Sequence, residues 1–287
     1  MKGPQVLAAK SSRGATWPAV FLHVSQQRKE SVLAVYQQKA RERIKKGLTR
    51  FNRVVARARD HGANEADTRL IVTSILGEML GWDTFENVTG EHRIKGNYAD
   101  FAIRDGKDLL AIIEVKAVGT TLGPKHLYQA VSYAANEGVE WVWLTNGCDW
   151  QIYRVIFGKP VEQDLAFMVS ICDKEMKPKD KVELLYLLSN EARRADELNA
   201  YYTKKAALSG ANAARALLSE KMLRALRAEM RSATGHLATL EEIATILVEE
   251  VIRPEAIGDD TARLIRKAAA LGRSTKKSSS SKATGEA

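Results

Sequence analysis

Between Glu30 and Asp60 apolar residues return at steps of three and four. Ile44, Leu48, Phe51, Val55 and Ala58 make one helical stripe. Lys39, Arg43, Lys46, Arg50, Arg53 and Arg57 make a second stripe, confined to a narrow arc at about 100° per residue. Gly47, in the middle, should weaken this helix by about 1 kcal/mol relative to Ala. Residues 1–29 show no clean period and contain Pro18, which predicts a poorly ordered segment. After His61-Gly62, the Asn64 and Asp67 pair marks a helix start, and that helix should stop at Gly81. Leu70, Ile71, Ile75, Leu76, Met79 and Leu80 make it apolar on more than one side, so it should be largely buried.

The period then changes to two. NYADFAI (Asn97 to Ile103) and DLLAIIEVKA (Asp108 to Ala117) read as strands joined by an Arg-Asp-Gly-Lys turn. Pro124 suits the first turn of a helix reaching about Asn136, and EWVWLTNG and DWQIYRVIF read as two further strands. Residues 61–170 are therefore predicted as one α/β domain. From Asp180 onward Ala, Leu, Glu and Arg dominate, with box-like starts at Asp180-x-x-Glu183 and Thr239-x-x-Glu242. Three helices are predicted there, over 180–206, 210–232 and 240–251, within a helical region of 180–270. The Ser/Lys-rich end, 272–287, has nothing apolar to pack and predicts a disordered tail.

Composition narrows the class of protein. In 287 residues, 45% hydrophobic and 28% charged content are those of a soluble globular chain. A formal charge of +9 favours a polyanionic partner. Two cysteines, Cys148 and Cys172, argue against a disulfide scaffold and fit a reducing, cytoplasmic setting. No apolar run approaches the roughly 20 residues that a membrane helix needs, so no membrane partner is expected. The five histidines, at 23, 61, 92, 126 and 236, never pair at zinc-ligand spacing and read as scattered surface residues. Gly119 to Lys125 has the wrong spacing for a phosphate loop.

Chemistry is carried by acids in the strands. Asp100 lies mid-run, where a carboxylate is costly unless compensated. Glu114 and Lys116 are two apart, so a strand points both to one face. Glu175-Met176-Lys177 has the same spacing but no strand around it. Converging, Asp100 and Glu114 supply hard oxygen ligands of the kind Mg²⁺ or Mn²⁺ takes, and Lys116 can hold an attacking water or a phosphate. Gln129 and Tyr133, four apart, share a helix face and are candidates to orient Lys116 or substrate. Glu65 and Glu78 compete as a further helix acid, and Glu65, at a helix start, is preferred. The six-cation stripe is either a phosphate-tracking face or a solvated one.

The order of helix, Asp strand, Glu-x-Lys strand and helix resembles the PD-(D/E)XK nuclease superfamily. More narrowly, it resembles the N-terminal nuclease domain of type I restriction enzyme R subunits and their free-standing relatives. The resemblance covers about Glu65 to Tyr153. It includes Glu65-x-x-Thr68-Arg69, Leu80-Gly-Trp-Asp83, Asp100, Glu114-x-Lys116, Gln129-x-x-x-Tyr133, Leu144-Thr-Asn-Gly147, Trp150 and Tyr153. Ala99 stands where the family often has Pro. The resemblance implies a restriction-endonuclease-like core, a mixed sheet flanked by helices. It also implies Mg²⁺-dependent cleavage of nucleic acid, most readily DNA, in a restriction or defence role. No Walker A loop is present, so a motor or specificity protein would be a separate partner, and the late helices could instead serve docking or homodimerisation. A catalytically inactive nucleic-acid-binding or regulatory module, and a helical assembly protein, are the competing expectations.

Overall fold

The computed structural model describes residues 17–94 and 97–257. It divides into two compact units, one ending at Leu198 and the other beginning at Asn199. The first unit is α/β, built on a six-stranded open sheet in sequential order: β1 (Val88–Ile94), β2 (Asn97–Asp105), β3 (Asp108–Val115), β4 (Trp141–Thr145), β5 (Asp149–Ile156) and β6 (Glu162–Ser170). All neighbours are antiparallel except β3 and β4, which run parallel. A parallel pair needs a crossover, and α3 (Pro124–Glu137) supplies it. The mixed sheet with flanking helices is the architecture expected of the sequence.

Local chemistry explains the joints. Asp105 pairs with Asp108 across a two-residue turn, and Gly106 takes the left-handed φ of 59° that a tight hairpin demands. Pro124 occupies the first turn of α3, and Gly138, at φ 70°, closes its end. Ala111 to Val115 are all buried, as befits a central strand covered on both faces. Ala102, Ile112, Val142 and Leu144 form a core cluster with Leu127, Ala130 and Val131 of α3.

Several boundaries differ from expectation. The long helix α1 runs Trp17–Asp60 and so begins within the segment expected to be disordered; Pro18 fits its first turn rather than breaking it. Residues 1–16 lie outside the described residues. Ile44, Phe51 and Val55 are buried, as their stripe predicts. Gly47 has a packing role that propensity could not reveal: a Cβ there would lie 2.5 Å from Met79 Cγ. The second helix, α2 (Glu65–Ser74), passes into a single π turn, Ile75–Met79, before Gly81. It is less buried than expected, since Leu70 is 71% exposed. β1 and β6 are not evident in the sequence, because Val-Thr-Gly-Glu-His-Arg-Ile is mostly polar and Glu-Gln-Asp-Leu-Ala-Phe-Met-Val-Ser opens on three polar residues, neither with clean alternation.

The predicted helix over 180–206 is three: α4 (Pro178–Tyr186), α5 (Asn190–Arg194) and α6 (Glu197–Ala207). The predicted 210–232 helix is two, α7 (Gly210–Leu217) and α8 (Glu220–Thr234). Serine caps punctuate these segments, with Ser189, Ser209 and Ser219 each accepting the amide three residues on. The box expected at Asp180 does not form; Pro178 opens α4 and Glu183 pairs with Arg41 instead. The one at Thr239 and Glu242 does form, at the start of α9 (Leu240–Ile246), which continues into a π turn, Leu247–Val251, before α10 (Pro254–Ile257). α4 and α5 belong to the sheet unit, so its boundary is Leu198 rather than residue 170. The expected tail, and all residues from 258, lie outside the described residues.

Candidate active site

The candidate site forms where β2 and β3 separate. Phe101 pairs with Ile113, so one residue further along Asp100 stands opposite Glu114 and shares its face. There the ladder ends, and Asp100 substitutes a side chain for a strand partner: its Oδ2 accepts the Val115 amide at 2.8 Å. On the other flank of β3, the Lys116 amide donates to the Thr145 carbonyl at 2.8 Å, extending the parallel pair by one bond. The cluster thus lies at the C-terminal end of the parallel pair β3 and β4, the end at which open α/β sheets commonly bind ligands.

The first turn of α2 closes the site from above. Asn64 caps it, accepting the Asp67 amide while Asp67 accepts that of Asn64. Thr68, fully buried, donates to the Asn64 carbonyl and accepts the Val118 amide at 3.0 Å, fastening the helix to the segment that follows Lys116. This fixes Glu65 and Arg69 above the strand ends. Glu65 Oε2 lies 3.5 Å from Lys116 Nζ, and Arg69 Nη1 donates to Asp100 Oδ1 at 2.8 Å. Lys116 Nζ donates to Glu114 Oε1 at 2.7 Å.

Glu65, Asp100, Glu114 and Lys116 are therefore brought together, with Arg69 among them. Gln129 and Tyr133 are not: Gln129 Nε2 donates to the Tyr133 hydroxyl at 2.7 Å, and neither bonds to Lys116. Tyr133 is buried in the α3 cluster, whereas Gln129 is exposed. Glu78 is also elsewhere, paired with Arg50 on an exposed surface. His126, read from sequence as a surface residue, stands at the margin, with Nδ1 accepting the Gly123 amide. Burial, with Lys125 and Lys116 nearby, lowers its pKa. Nothing in the spacing of the histidines marked it, because α3 and the end of β3 meet only through the crossover.

Electrostatics give the cluster its character. Glu114 is 3% exposed, and its Oε2 has no hydrogen-bond partner. Burial raises the Glu114 pKa, and the carboxylates of Asp100 and Glu65 reinforce this against the opposing lysine. Burial works against the Lys116 ammonium, yet its bond to Glu114 and the charges of Glu65 and Asp100 raise it overall. Arg69 is raised first by its bond to Asp100. Glu114, Lys116 and Arg69 are all raised, and three carboxylates against two cations leave the cluster short of positive charge. Beside the Arg69–Asp100 pair an open hollow is lined by Leu70, Thr73, Glu91 and Phe101.

A divalent cation fits this donor set. Glu114 Oε2 is an orphaned buried acceptor, and Asp100 uses only part of the lone-pair capacity of its two oxygens. Among the described residues no group of three or more His, Cys, Asp or Glu side chains is assembled to hold a metal ion. Two carboxylates, completed by water and substrate phosphate, are what Mg²⁺ accepts.

The basic stripe of α1 is only partly displayed. Lys39, Lys46, Arg50, Arg53 and Arg57 are exposed. Arg43 is not: its Nη1 and Nη2 donate to the two Glu191 oxygens, each at 2.8 Å, and its Nε donates to the Met79 carbonyl. Arg43 sits at the edge of the stripe nearest the apolar face, where the π turn and α5 supply acceptors. Among the described residues no helix is long and apolar enough to cross a membrane. No protein-family model matches the chain, and no curated protein or solved structure matches it significantly.

Proposed function

We propose that the protein hydrolyses phosphodiester bonds of nucleic acid, most readily DNA, with Mg²⁺ or Mn²⁺ held by Asp100 and Glu114. The observation that carries this reading is the buried, unpartnered Glu114 Oε2 in a cluster short of positive charge. A bound divalent ion would supply a water of lowered pKa and would offset charge on the phosphate oxygens. The chain's own residues do the rest. Lys116, turning from Glu114, donates to the scissile phosphate or positions the attacking water. Glu65, on the other side of the ammonium, keeps it charged and close. Arg69 can leave Asp100 for a phosphate oxygen, since guanidinium matches both partners. The exposed cations of α1 offer sequence-independent phosphate contacts.

A second reading has its own support. Arg69 already bonds Asp100 and Lys116 already bonds Glu114, so both ligand carboxylates have internal cations. A module that binds nucleic acid without cutting it would keep these pairs intact. A restriction or defence role, and a separate specificity or motor partner, rest on the sequence resemblance alone. Cleavage assays on single- and double-stranded DNA and RNA, with Mg²⁺ or Mn²⁺, separate the two readings. Metal-dependent cleavage by the wild type and its loss in Glu114→Ala supports the nuclease. Binding without cleavage under every condition supports the module.

A further inference from the structure

The two cysteines are 24 positions apart in sequence but adjacent in the fold. Cys148 follows β4, and its carbonyl accepts the Ile171 amide at 2.8 Å just beyond the last β5–β6 pair, Asp149 with Ser170. Cys172 comes next in the chain, and it packs with Cys148, Val55 and Val118 in one small cluster. Cys148 is 2% exposed, whereas Cys172 is half-buried. The Cys172 position is pinned from behind. Lys181, itself buried, donates from Nζ to the carbonyls of Ile171 and Asp173, the residues on either side.

The two sulfurs are also chemically unequal. A hydrogen bond from Cys172 holds the Cys148 thiol down at about 6, against the opposing effect of burial, and Ser170 adds to it. The Cys172 thiol is correspondingly raised, chiefly by the same bond. A buried sulfur thus packs against a more accessible one, the arrangement that an intramolecular thiol–disulfide exchange requires.

We propose that Cys148 and Cys172 form a dithiol site that reacts with low-molecular-weight disulfides and closes into an intramolecular disulfide. A small disulfide RSSR reaches Cys172 first. Cys172 gives up its proton to water as its sulfur attacks one oxidant sulfur, the displaced RS⁻ takes up a proton and leaves as RSH, and a mixed disulfide remains. The Cys148 sulfur then attacks the Cys172 sulfur, breaks the mixed bond and releases the second RSH. Two protein thiols are oxidised and one RSSR is reduced to two RSH, so electrons and protons balance. In a reducing compartment such a bond is transient and responsive rather than structural.

The site lies close to the carboxylate cluster. Val118, two residues after Lys116, packs on Cys148, and a Cβ at Gly147 would lie 3.5 Å from Thr68 Cγ2. The proposal itself needs no nuclease activity and is tested without it.

The test incubates the full chain with graded oxidised glutathione at neutral pH, counts native thiols and measures intact mass. The expected result is loss of both thiols together, a mass lower by two hydrogens, no retained glutathione, no chain-to-chain link, and full recovery with excess dithiothreitol. Persistence of both thiols, stable glutathione on the wild type, or only intermolecular disulfides would overturn the proposal. Cys148→Ala should retain one glutathione at Cys172, and Cys172→Ala should keep its buried thiol free. Equal reactivity of Cys148 in Cys172→Ala and in the wild type would also overturn it, and the wild-type arm decides even if a variant misfolds.

Discussion

Two of the arginine–carboxylate contacts among the described residues, Arg43–Glu191 and Arg69–Asp100, differ in kind because of their surroundings. At the junction of α1 with α5, Arg43 and Glu191 bond through both nitrogens and both oxygens, and the remaining Nε–H goes to the Met79 carbonyl. Glu191 is lowered in pKa, because Arg43 and its own backbone amide outweigh burial. At the strand ends, Arg69 reaches one oxygen of Asp100, while Glu114 beside it keeps an oxygen with no partner and is raised. The first arrangement pairs both carboxylate oxygens and serves stability. The second leaves charge uncompensated in a buried place, and such strain accumulates where a ligand completes the set.

The contrast can be broken most sharply at Glu114 and Lys116. Under the nuclease reading, Glu114→Gln and Lys116→Ala each lower metal-dependent cleavage by at least about 10²–10³-fold, with circular dichroism unchanged. Cleavage within tenfold of wild type in either variant would remove that residue from the chemistry. At the other contact the effect should fall on stability. Arg43→Met leaves Glu191 without its main partner in a half-buried site and should lower unfolding free energy by about 1–3 kcal/mol, read by denaturant midpoint. An unchanged midpoint would show that the pair is ornamental.

A third comparison uses pH. Glu114 has a folded pKa above its ordinary 4.5, so the folded state binds its proton more tightly than the unfolded one. The stability this group contributes is complete below 4.5 and is lost as pH rises through the raised value. Glu114→Gln should therefore gain on the wild type as pH increases from 4.5, with the thermal midpoints diverging toward neutrality. Added Mg²⁺ should narrow that gap by stabilising the wild type alone. Midpoints that run parallel across pH would mean Glu114 is compensated in solution.

Smaller effects belong to α1. Gly47→Ala gains about 1 kcal/mol of helix propensity. The new Cβ meets Met79 Cγ at 2.5 Å, however, and overpacking of that kind costs about 1–3 kcal/mol. A net loss of stability of about 1 kcal/mol is expected, and a net gain would show that the π turn yields freely. Arg53→Gln and Arg57→Gln should each flatten the salt dependence of nucleic-acid binding by roughly one unit of slope. Arg43 should leave that slope alone, being committed to Glu191.

How far these regions were legible follows from the range over which their contacts act. The α1 stripe, the β2–β3 hairpin and the Glu114–Lys116 pair rest on spacings of two to four residues, and the chain displays them directly. Glu65 beside Lys116 was legible only as a helix-start acid, since its approach depends on Thr68 bonding to Val118. The inward turn of Arg43 depends on Glu191, and the true end of the sheet unit on helices past residue 180. The single helix expected over 180–206 failed for a local reason. Its Ser189 looks like any polar helix residue until the side chain caps the Ala192 amide. Gln129 and Tyr133 bond to one another as their spacing allows, yet Tyr133 is buried in the α3 cluster while Gln129 is exposed, a split that spacing does not display.

The partners of α1 also set an order of events during synthesis. Arg41, Arg43 and Gln37 reach Glu183, Glu191 and Glu197, which lie 142, 148 and 160 residues later in the chain. Translation at about 5–20 residues per second makes the first helix wait on the order of ten seconds or more for them. The hairpin of β2 and β3 and the meander of β4 to β6 leave the ribosome inside that interval. The earliest long helix thus gains its contacts with α4 and α5 late, and until they emerge the part of its apolar stripe that faces them lacks cover. A nascent chain paused before Glu191 should bind chaperone through that stripe, and release should coincide with the arrival of α5.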